Sequence, residues 1–296
     1  MKFNPFDYPL AWADPAMLSL NSDFVGHIPF VMGLVDLLRP GTVVELGTHT
    51  GNSYCAFCQA VRLRQMPTRC YAVDTWRGDA SMGDYANGDA ILAQLRAHHD
   101  PNYASFSTLL RMTFDEALPR FADGSIDLLH IDGCHTYEAV RHDFEAWLPK
   151  LSDRGVVLLH DTAERRAGFG VYRFWAEVAA KYPSLNFEHC HGLGMLLVGA
   201  RPEPALQDFM QLAAAEPAAI QQFFAFQGLR VGKHQALDYS VAFGWHVQSL
   251  LNAWAAAHGK PVNPQCGTIQ AAQADPISFF YNLYLSAQQA LGNTSS

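Results

Sequence analysis

An open, mostly parallel α/β sheet with helices on both faces is the fold class this sequence predicts, and three observations predict it. Between residues 22 and 200, short apolar runs alternate with amphipathic stretches of helical period, the pattern of strand–helix–strand units. The runs are continuously apolar, as expected of strands buried on both faces. The last two runs are separated only by His191-Gly192-Leu193-Gly194, a hairpin-length connection with glycine and no room for a crossover helix. The expectation is a doubly wound, mostly parallel seven-stranded sheet ending in an antiparallel hairpin, followed by a helical C-terminal extension.

In chain order, an N-terminal arm over 1–21 precedes the α/β region of 22–200. A helix near 24–38 opens at Phe24-Val25-Gly26-His27-Ile28-Pro29-Phe30 and should pack over the ligand site, with His27 a candidate to reach it. Strands are expected at 42–46, 70–73, 105–110, 126–131, 155–159, 187–190 and 195–198. Helices are expected near 52–65, 88–98, 114–121, 136–150 and 171–181. Residues 76–103 begin with a long polar, Gly-rich segment, and Arg165-Arg166-Ala167-Gly168-Phe169-Gly170 has the same character. Long loops above strand ends suit recognition, with Asp79, Tyr85 and Arg165 foremost, or are mobile solvent loops. His98-His99 reads as a solvated helix end. After the breaker Arg201-Pro202-Glu203-Pro204, residues 201–296 turn rich in Ala, Gln, Leu and Phe, with helices near 205–227, 235–258 and 276–291. Phe223, Phe224, Phe226, Trp245 and Trp254 read as a packing face there, or as a docking surface for a second subunit.

The chain has 296 residues, 49% apolar and 16% charged, which excludes disorder and supplies a sizeable core. A formal net charge of −8 argues against nucleic acid or an anionic membrane surface as partner. No apolar run reaches the roughly 18 residues of a membrane span, and Pro5, Asp7 and Pro9 make the N-terminus unlike a signal peptide. A cytoplasmic protein is expected. Six cysteines, at 55, 58, 70, 134, 190 and 266, are too few and scattered for a disulfide scaffold. Cys55 and Cys58 form a C-x-x-C pair, either a redox or zinc half-site or two buried thiols on one helix; no second pair supports the former.

The most informative segment is Thr42-Val43-Val44-Glu45-Leu46-Gly47-Thr48-His49-Thr50-Gly51-Asn52-Ser53. A strand ends at Gly47, a loop carries Thr48, and a helix opens at Gly51 and Ser53. Glycines let the backbone approach a ligand, and the helix start offers unpaired N–H groups. A dinucleotide fingerprint would read G-x-G-x-x-G, but here Gly47 and Gly51 stand four apart without a third in register. Glu45 is better suited to an amine-bearing ligand than to a pyrophosphate. Asp74 ends the next strand, 23 residues after Gly51, where a carboxylate can accept ribose hydroxyls or cap the strand. Trp76 is placed to cover an adenine or simply to pack.

Glu45-x-Gly47-x-x-x-Gly51 followed by Asp74 resembles the S-adenosylmethionine-binding motifs of class I methyltransferases. Ile131-Asp132-Gly133-Cys134-His135-Thr136-Tyr137 and Gly155-Val156-Val157-Leu158-Leu159-His160-Asp161 narrow the likeness. It is to the family related to macrolide and aminocoumarin sugar O-methyltransferases and to cephalosporin-hydroxylase-like proteins. The resemblance covers about 22–200 and implies an S-adenosylmethionine-dependent O-methyltransferase. Its cofactor would meet Glu45, Gly47, Thr48, Gly51, Ser53, Asp74, Trp76 and Asp132. Many class I members carry glycine where this chain has His49, so a less tightly wrapped loop is expected.

Asp132 and Asp161 end successive strands and should face one crevice. Parallel strands lie about 4.8 Å apart, so the two carboxylates can share a ligand or an ion. In the sugar-modifying relatives, acidic residues at these two strand ends hold a divalent metal. Asp132 and Asp161 match, while His160 stands where a second acidic residue is usual. A Mg²⁺ or other divalent site of Asp132, Asp161 and His160 is one expectation; pocket hydrogen bonds and turn capping are the other. The sulfonium carries an activated methyl, so the protein must align an acceptor hydroxyl and remove its proton. His135 is the preferred base, with His160 next and Asp132 beside both.

The function expected is methyl transfer to a hydroxyl of a sugar or glycosylated metabolite, a carbohydrate-biosynthesis step. The same fold could serve a phenolic or other small acceptor. From other classes come an NAD-dependent oxidoreductase, disfavoured by the glycine spacing and the closing hairpin, and a non-catalytic cofactor-binding scaffold whose tail does the work. A homo-oligomer through the C-terminal extension is a further expectation.

Overall fold

The computed structural model describes residues 2–233, apart from 20, 22 and 82. Helix α1 (Ile28–Leu38) precedes β1 (Thr42–Leu46), then α2 (Asn52–Leu63) and β2 (Arg69–Asp74). A two-residue ladder, β3 (Gly78–Asp79) with β4 (Gly83–Asp84), stands outside the main sheet. There follow α3 (Gly88–Tyr103), β5 (Ser107–Arg111), α4 (Phe114–Ala117), β6 (Ile126–Ile131), α5 (Tyr137–Trp147) and β7 (Leu151–His160). The chain continues through α6 (Val171–Ala179), β8 (Ser184–Phe187), β9 (Leu193–Leu197) and α7 (Pro204–Ala215). Residues 217–233 are also helical.

The main sheet has seven strands in the order β5-β2-β1-β6-β7-β9-β8. Strands β5, β2, β1, β6 and β7 are mutually parallel, and β9 runs antiparallel between β7 and β8. The short connection at 188–192 leaves room only for a reversal, so the expected closing hairpin forms. Alternate strand residues face opposite sides. Val43, Cys70, Ala72, Leu128, Val156 and Leu158 meet one core with α1 and α2. Val44, Leu46, Val73, Leu129, Ile131 and Val157 meet the other with α5 and α6.

Register aligns the site. Leu46 pairs with Val73 on one side and Ile131 on the other, and Ile131 pairs with Leu159. Gly47, Asp74, Asp132 and His160 therefore emerge at one level on the carboxyl edge. The order also changes direction between β1 and β6, which opens a crevice at that edge.

The sheet ends near residue 200, but the compact unit runs through Val231. Helix α7 and the helical residues 217–233 place Leu206, Phe209, Ile220 and Phe224 in the same core as α1. The N-terminal arm joins it through Tyr8, Leu10 and Ala11. Trp245, Trp254 and the helices expected near 235–258 and 276–291 lie outside the described residues. Cys55 and Cys58 are buried on α2, where burial pushes the Cys55 thiol up, so the pair reads as packed thiols. His98-His99 departs from its expectation: α3 continues through it, and His99 is buried with Nε2 2.7 Å from Ser107 Oγ.

Candidate active site

A cavity of about 270 Å³ lies over the crevice. Its wall includes Gly47, Thr48, Ser53, Asp74, Asp132, His135, His160 and Asp161. Glu45, Gly51 and Trp76 are not part of it.

The first turn is built by close approach. Gly47 has φ 88°, and a Cβ there would sit 2.0 Å from the Asp132 carbonyl oxygen, so only glycine lets β1 and β6 end side by side. Gly51, at φ 89°, sits at the N-cap of α2 against Leu95. His49 adopts φ 46°, the left-handed conformation that glycine would take. The loop's conformation is held from Asp74 and Trp76. Thr48 N–H and His49 N–H donate to Asp74 Oδ2 at 2.9 and 2.8 Å, and the Trp76 indole N–H donates to His49 O at 2.8 Å. Trp76 N–H donates to Asp74 Oδ1 at 2.6 Å. Asp74 is thereby a clamp on the loop, with three of its roughly four acceptor positions filled. Trp76 is buried as packing. Glu45 turns into the interior, fully buried, with Oε1 2.9 Å from His130 Nδ1. Thr48 keeps a buried Oγ1 with no partner in the cavity wall, which suits a polar ligand on this loop.

The second feature is a cluster of two carboxylates and two imidazoles. His135 Nε2 lies 2.9 Å from Asp161 Oδ2 and 3.8 Å from Asp132 Oδ1. His160 Nδ1 lies 3.3 Å from Asp132 Oδ1 and 3.6 Å from Asp161 Oδ2. Burial opposes a charged His135, but hydrogen bonds to Asp132 and Asp161 and their charges outweigh it and raise the imidazole to about 10. His160 is raised in the same way, against burial, chiefly by the charge of Asp132. Burial would raise Asp161 too, yet the imidazoles hold it down at about 2, and Asp132 lies well below the carboxylate range.

The donor set also fits a divalent cation. Asp132, His135 and Asp161 each offer one ligand atom, all within 4.8 Å of one another. The sequence-based set had His160 with the two aspartates, and this geometry adds His135 as a donor. His160 directs Nδ1 at the same carboxylates and its Nε2 lies 3.1 Å from Cys190 O. His135 Nδ1 is 2.9 Å from Ser81 Oγ. A bond from the second ring nitrogen to a fixed partner is what orients metal-binding histidines.

Several wall residues were not among the expected cofactor, metal or catalytic residues. Phe169 stacks on His135 with ring centres 4.5 Å apart and an angle of 12°. Thr113 and Phe114 follow β5, and Asn21, Asp23 and Phe24 come from the segment before α1. Tyr85 and Asp79 do line the cavity; burial and nearby carboxylates push the Tyr85 hydroxyl up to about 12. Arg166, not Arg165, reaches the wall, since Arg165 lies 4.1 Å over the Tyr172 ring. His27 is fully buried with Nε2 3.2 Å from Cys190 O and stays off the wall. Left-handed non-glycine residues gather here: His49, Trp76, Asp161, Cys190 and His191, the concentration of backbone strain expected at functional sites.

Residues 44–162 match the family model described as a methyltransferase domain. With an antiparallel β9 inserted between β7 and β8, the seven-stranded sheet that contains this match has the class I methyltransferase fold. A curated protein of Sinorhizobium fredii, called uncharacterized protein y4gI, is 53% identical over 187 residues, which are 63% of this chain and 20% of that protein. The chain therefore spans about a fifth of the length of that relative. Among solved structures, the O-methyltransferase TomG from Streptomyces achromogenes, involved in tomaymycin synthesis, is 14% identical with a TM-score of 0.44 over 66% of this chain and 84% of TomG. The SAH-bound methyltransferase PaMTH1 of Podospora anserina is 12% identical with a TM-score of 0.43 over 57% and 76%. No helix among the described residues is long and apolar enough to cross a membrane.

Proposed function

We propose that this chain transfers the methyl group of S-adenosylmethionine to a hydroxyl of a sugar or glycosylated metabolite in the cytoplasm, at a site formed by Asp132, His135, His160 and Asp161. The observation that carries the reading is the convergence of His135 Nε2 with Asp132 and Asp161 on the cavity wall, beside the Gly47 loop. Thr48, Ser53 and the open helix start are the groups available to the cofactor. The cavity's acidic residues, Asp23, Asp74, Asp79, Asp132 and Asp161, favour a neutral or amine-bearing acceptor over a phosphorylated one.

The protonation of the imidazoles bears on how the acceptor proton leaves. Asp132 and Asp161 hold His135 well above the ordinary imidazole range, which favours its protonated form at pH 7. His135 acting alone as base would carry that penalty, and His160 is shifted in the same direction. A divalent cation held by Asp132, His135 and Asp161 would supply Lewis acidity that lowers the acceptor hydroxyl's pKa. In this arrangement the carboxylates and His135 orient the acceptor, Phe169 walls one side of it, and His160 keeps Asp132 ionised. Ligand imidazoles must be deprotonated, so cation binding competes with protons here.

Two measurements test the reading. Calorimetry with S-adenosylhomocysteine and NAD side by side should show binding of the first alone. Methyl transfer to sugar acceptors should fall at least tenfold on exhaustive chelation and return with Mg²⁺ or Mn²⁺. Activity that survives chelation would remove the cation, and binding of NAD instead would remove the whole reading.

A further inference from the structure

We infer that Ser81, carried on the β3–β4 hairpin and oriented by Asp79, is a positioning residue that sets the His135 ring in the site. The inference rests on the reading above in assigning His135 a part in methyl transfer, but the grip itself is a matter of geometry.

Ser81 holds His135 at two points. The His135 backbone N–H donates to Ser81 Oγ at 3.2 Å, and His135 Nδ1 lies 2.9 Å from the same oxygen. On its other side, Ser81 meets Asp79 Oδ1 through both its backbone N–H, at 2.6 Å, and its hydroxyl, at 2.5 Å. A serine hydroxyl has one proton to donate. The carboxylate, as the closer and charged acceptor, takes it. Ser81 Oγ is left to accept twice, from the backbone N–H and from Nδ1–H of His135. Nδ1 thus keeps its proton whether the ring is charged or neutral, and Nε2, turned toward Asp132 and Asp161, is the nitrogen that can give its proton up. That orientation is required whether Nε2 binds a cation or takes a proton.

The hairpin is built to deliver this contact. Gly78, at φ 88°, faces Gly83, and a Cβ on it would meet the Gly83 carbonyl oxygen at 2.0 Å. The reversal brings Ser81, 54 residues before His135, against it. Two further contacts fix the rest of His135: the Gly170 N–H donates to His135 O at 2.7 Å, and Phe169 covers the ring. Ser81 contacts both the backbone and the edge of the ring opposite Nε2.

The test compares Ser81→Ala with Ser81→Thr, which keeps the hydroxyl, in the full chain. A displaced catalytic group costs up to about 100-fold, so Ser81→Ala should lower kcat by about 10- to 100-fold. The KM for S-adenosylmethionine and the Kd for S-adenosylhomocysteine should stay within about twofold, and Ser81→Thr should recover most of kcat. Independently of turnover, amide hydrogen exchange should show the His135 N–H exchanging at least about tenfold faster in Ser81→Ala and unchanged in Ser81→Thr. Wild-type kcat in Ser81→Ala, equal losses in both variants, or unaltered His135 exchange overturns the inference. If the wild-type chain methylates no acceptor, the functional reading fails, and the exchange measurement still decides whether Ser81 grips His135.

Discussion

At the scale of single residues, the site is a contest between burial and pairing. Asp132, His135, His160 and Asp161 are all largely withdrawn from water, which disfavours each as an ion, yet together they hold one another charged. Removing one partner leaves the others uncompensated. His135→Ala is expected to reduce methyl transfer at least about 100-fold while S-adenosylhomocysteine affinity, measured by calorimetry, is unchanged, because the Gly47 loop is held by Asp74 rather than by His135. Near-normal turnover would remove His135 from the reaction. The sequence pointed to these strand ends but not to the contacts each residue makes there. Asp74 and Trp76 sit where a cofactor contact is expected, and the fold uses their polar groups to tie down the loop. Glu45 lies one residue before the strand end, so β-alternation turns it inward to His130.

At the scale of elements, α5 carries a buried carboxylate outside the cavity wall. Burial lifts Asp143 to about 7; the neighbouring His142 opposes the shift and Asp115 adds to it. A carboxylate whose pKa is higher in the folded chain than in the unfolded one binds its proton more tightly when folded. Its stabilising contribution is full below about pH 4 and is lost as pH rises through about 7. The difference amounts to at most about 4 kcal/mol above pH 7. Asp143→Asn should therefore be less sensitive than wild type to a rise from pH 5 to 8 in urea unfolding. Parallel pH profiles for the two proteins would show that Asp143 ionises freely. The boundaries of α3 and β5 also moved from their expected positions. His99 continues α3 past the polar His-His-Asp-Pro segment because its ring finds Ser107 inside the fold, a partner no local pattern reveals.

At the scale of the whole unit, the aromatic residues explain why the fold extends beyond its sheet. Phe224 lies 5.2 Å from Phe30 of α1, 5.6 Å from Phe187 of β8 and 6.3 Å from both Tyr8 of the arm and Phe209 of α7, centre to centre. One ring thus joins the N-terminal arm, the sheet and the helices that follow it. Phe224→Ala should cost about 3–5 kcal/mol in chemical denaturation, whereas Phe226→Ala, at a side chain 64% exposed, should change stability by less than about 0.5 kcal/mol. Similar small effects from both would mean that 217–233 does not belong to the cooperative unit.

The sequence by itself determined the sheet. Short apolar runs between turn signals read as buried strands and a gap of a few residues as a reversal, so strand number and the closing hairpin were legible, although the reversal lies at 188–192 rather than at 191–194. It also determined the carboxyl-edge residues Gly47, Asp74, Asp132 and Asp161, because each follows directly on a strand whose end the pattern marks. Only the tertiary structure decided which of them face the cavity, that His135 joins Asp132 and Asp161 in the donor set, that Phe169 and the segment before α1 complete the wall, and that Ser81 holds His135. These contacts join residues tens of positions apart through hydrogen bonds and ring faces. Such pairing leaves no period in the chain, since its partners meet only after the strands have set their register.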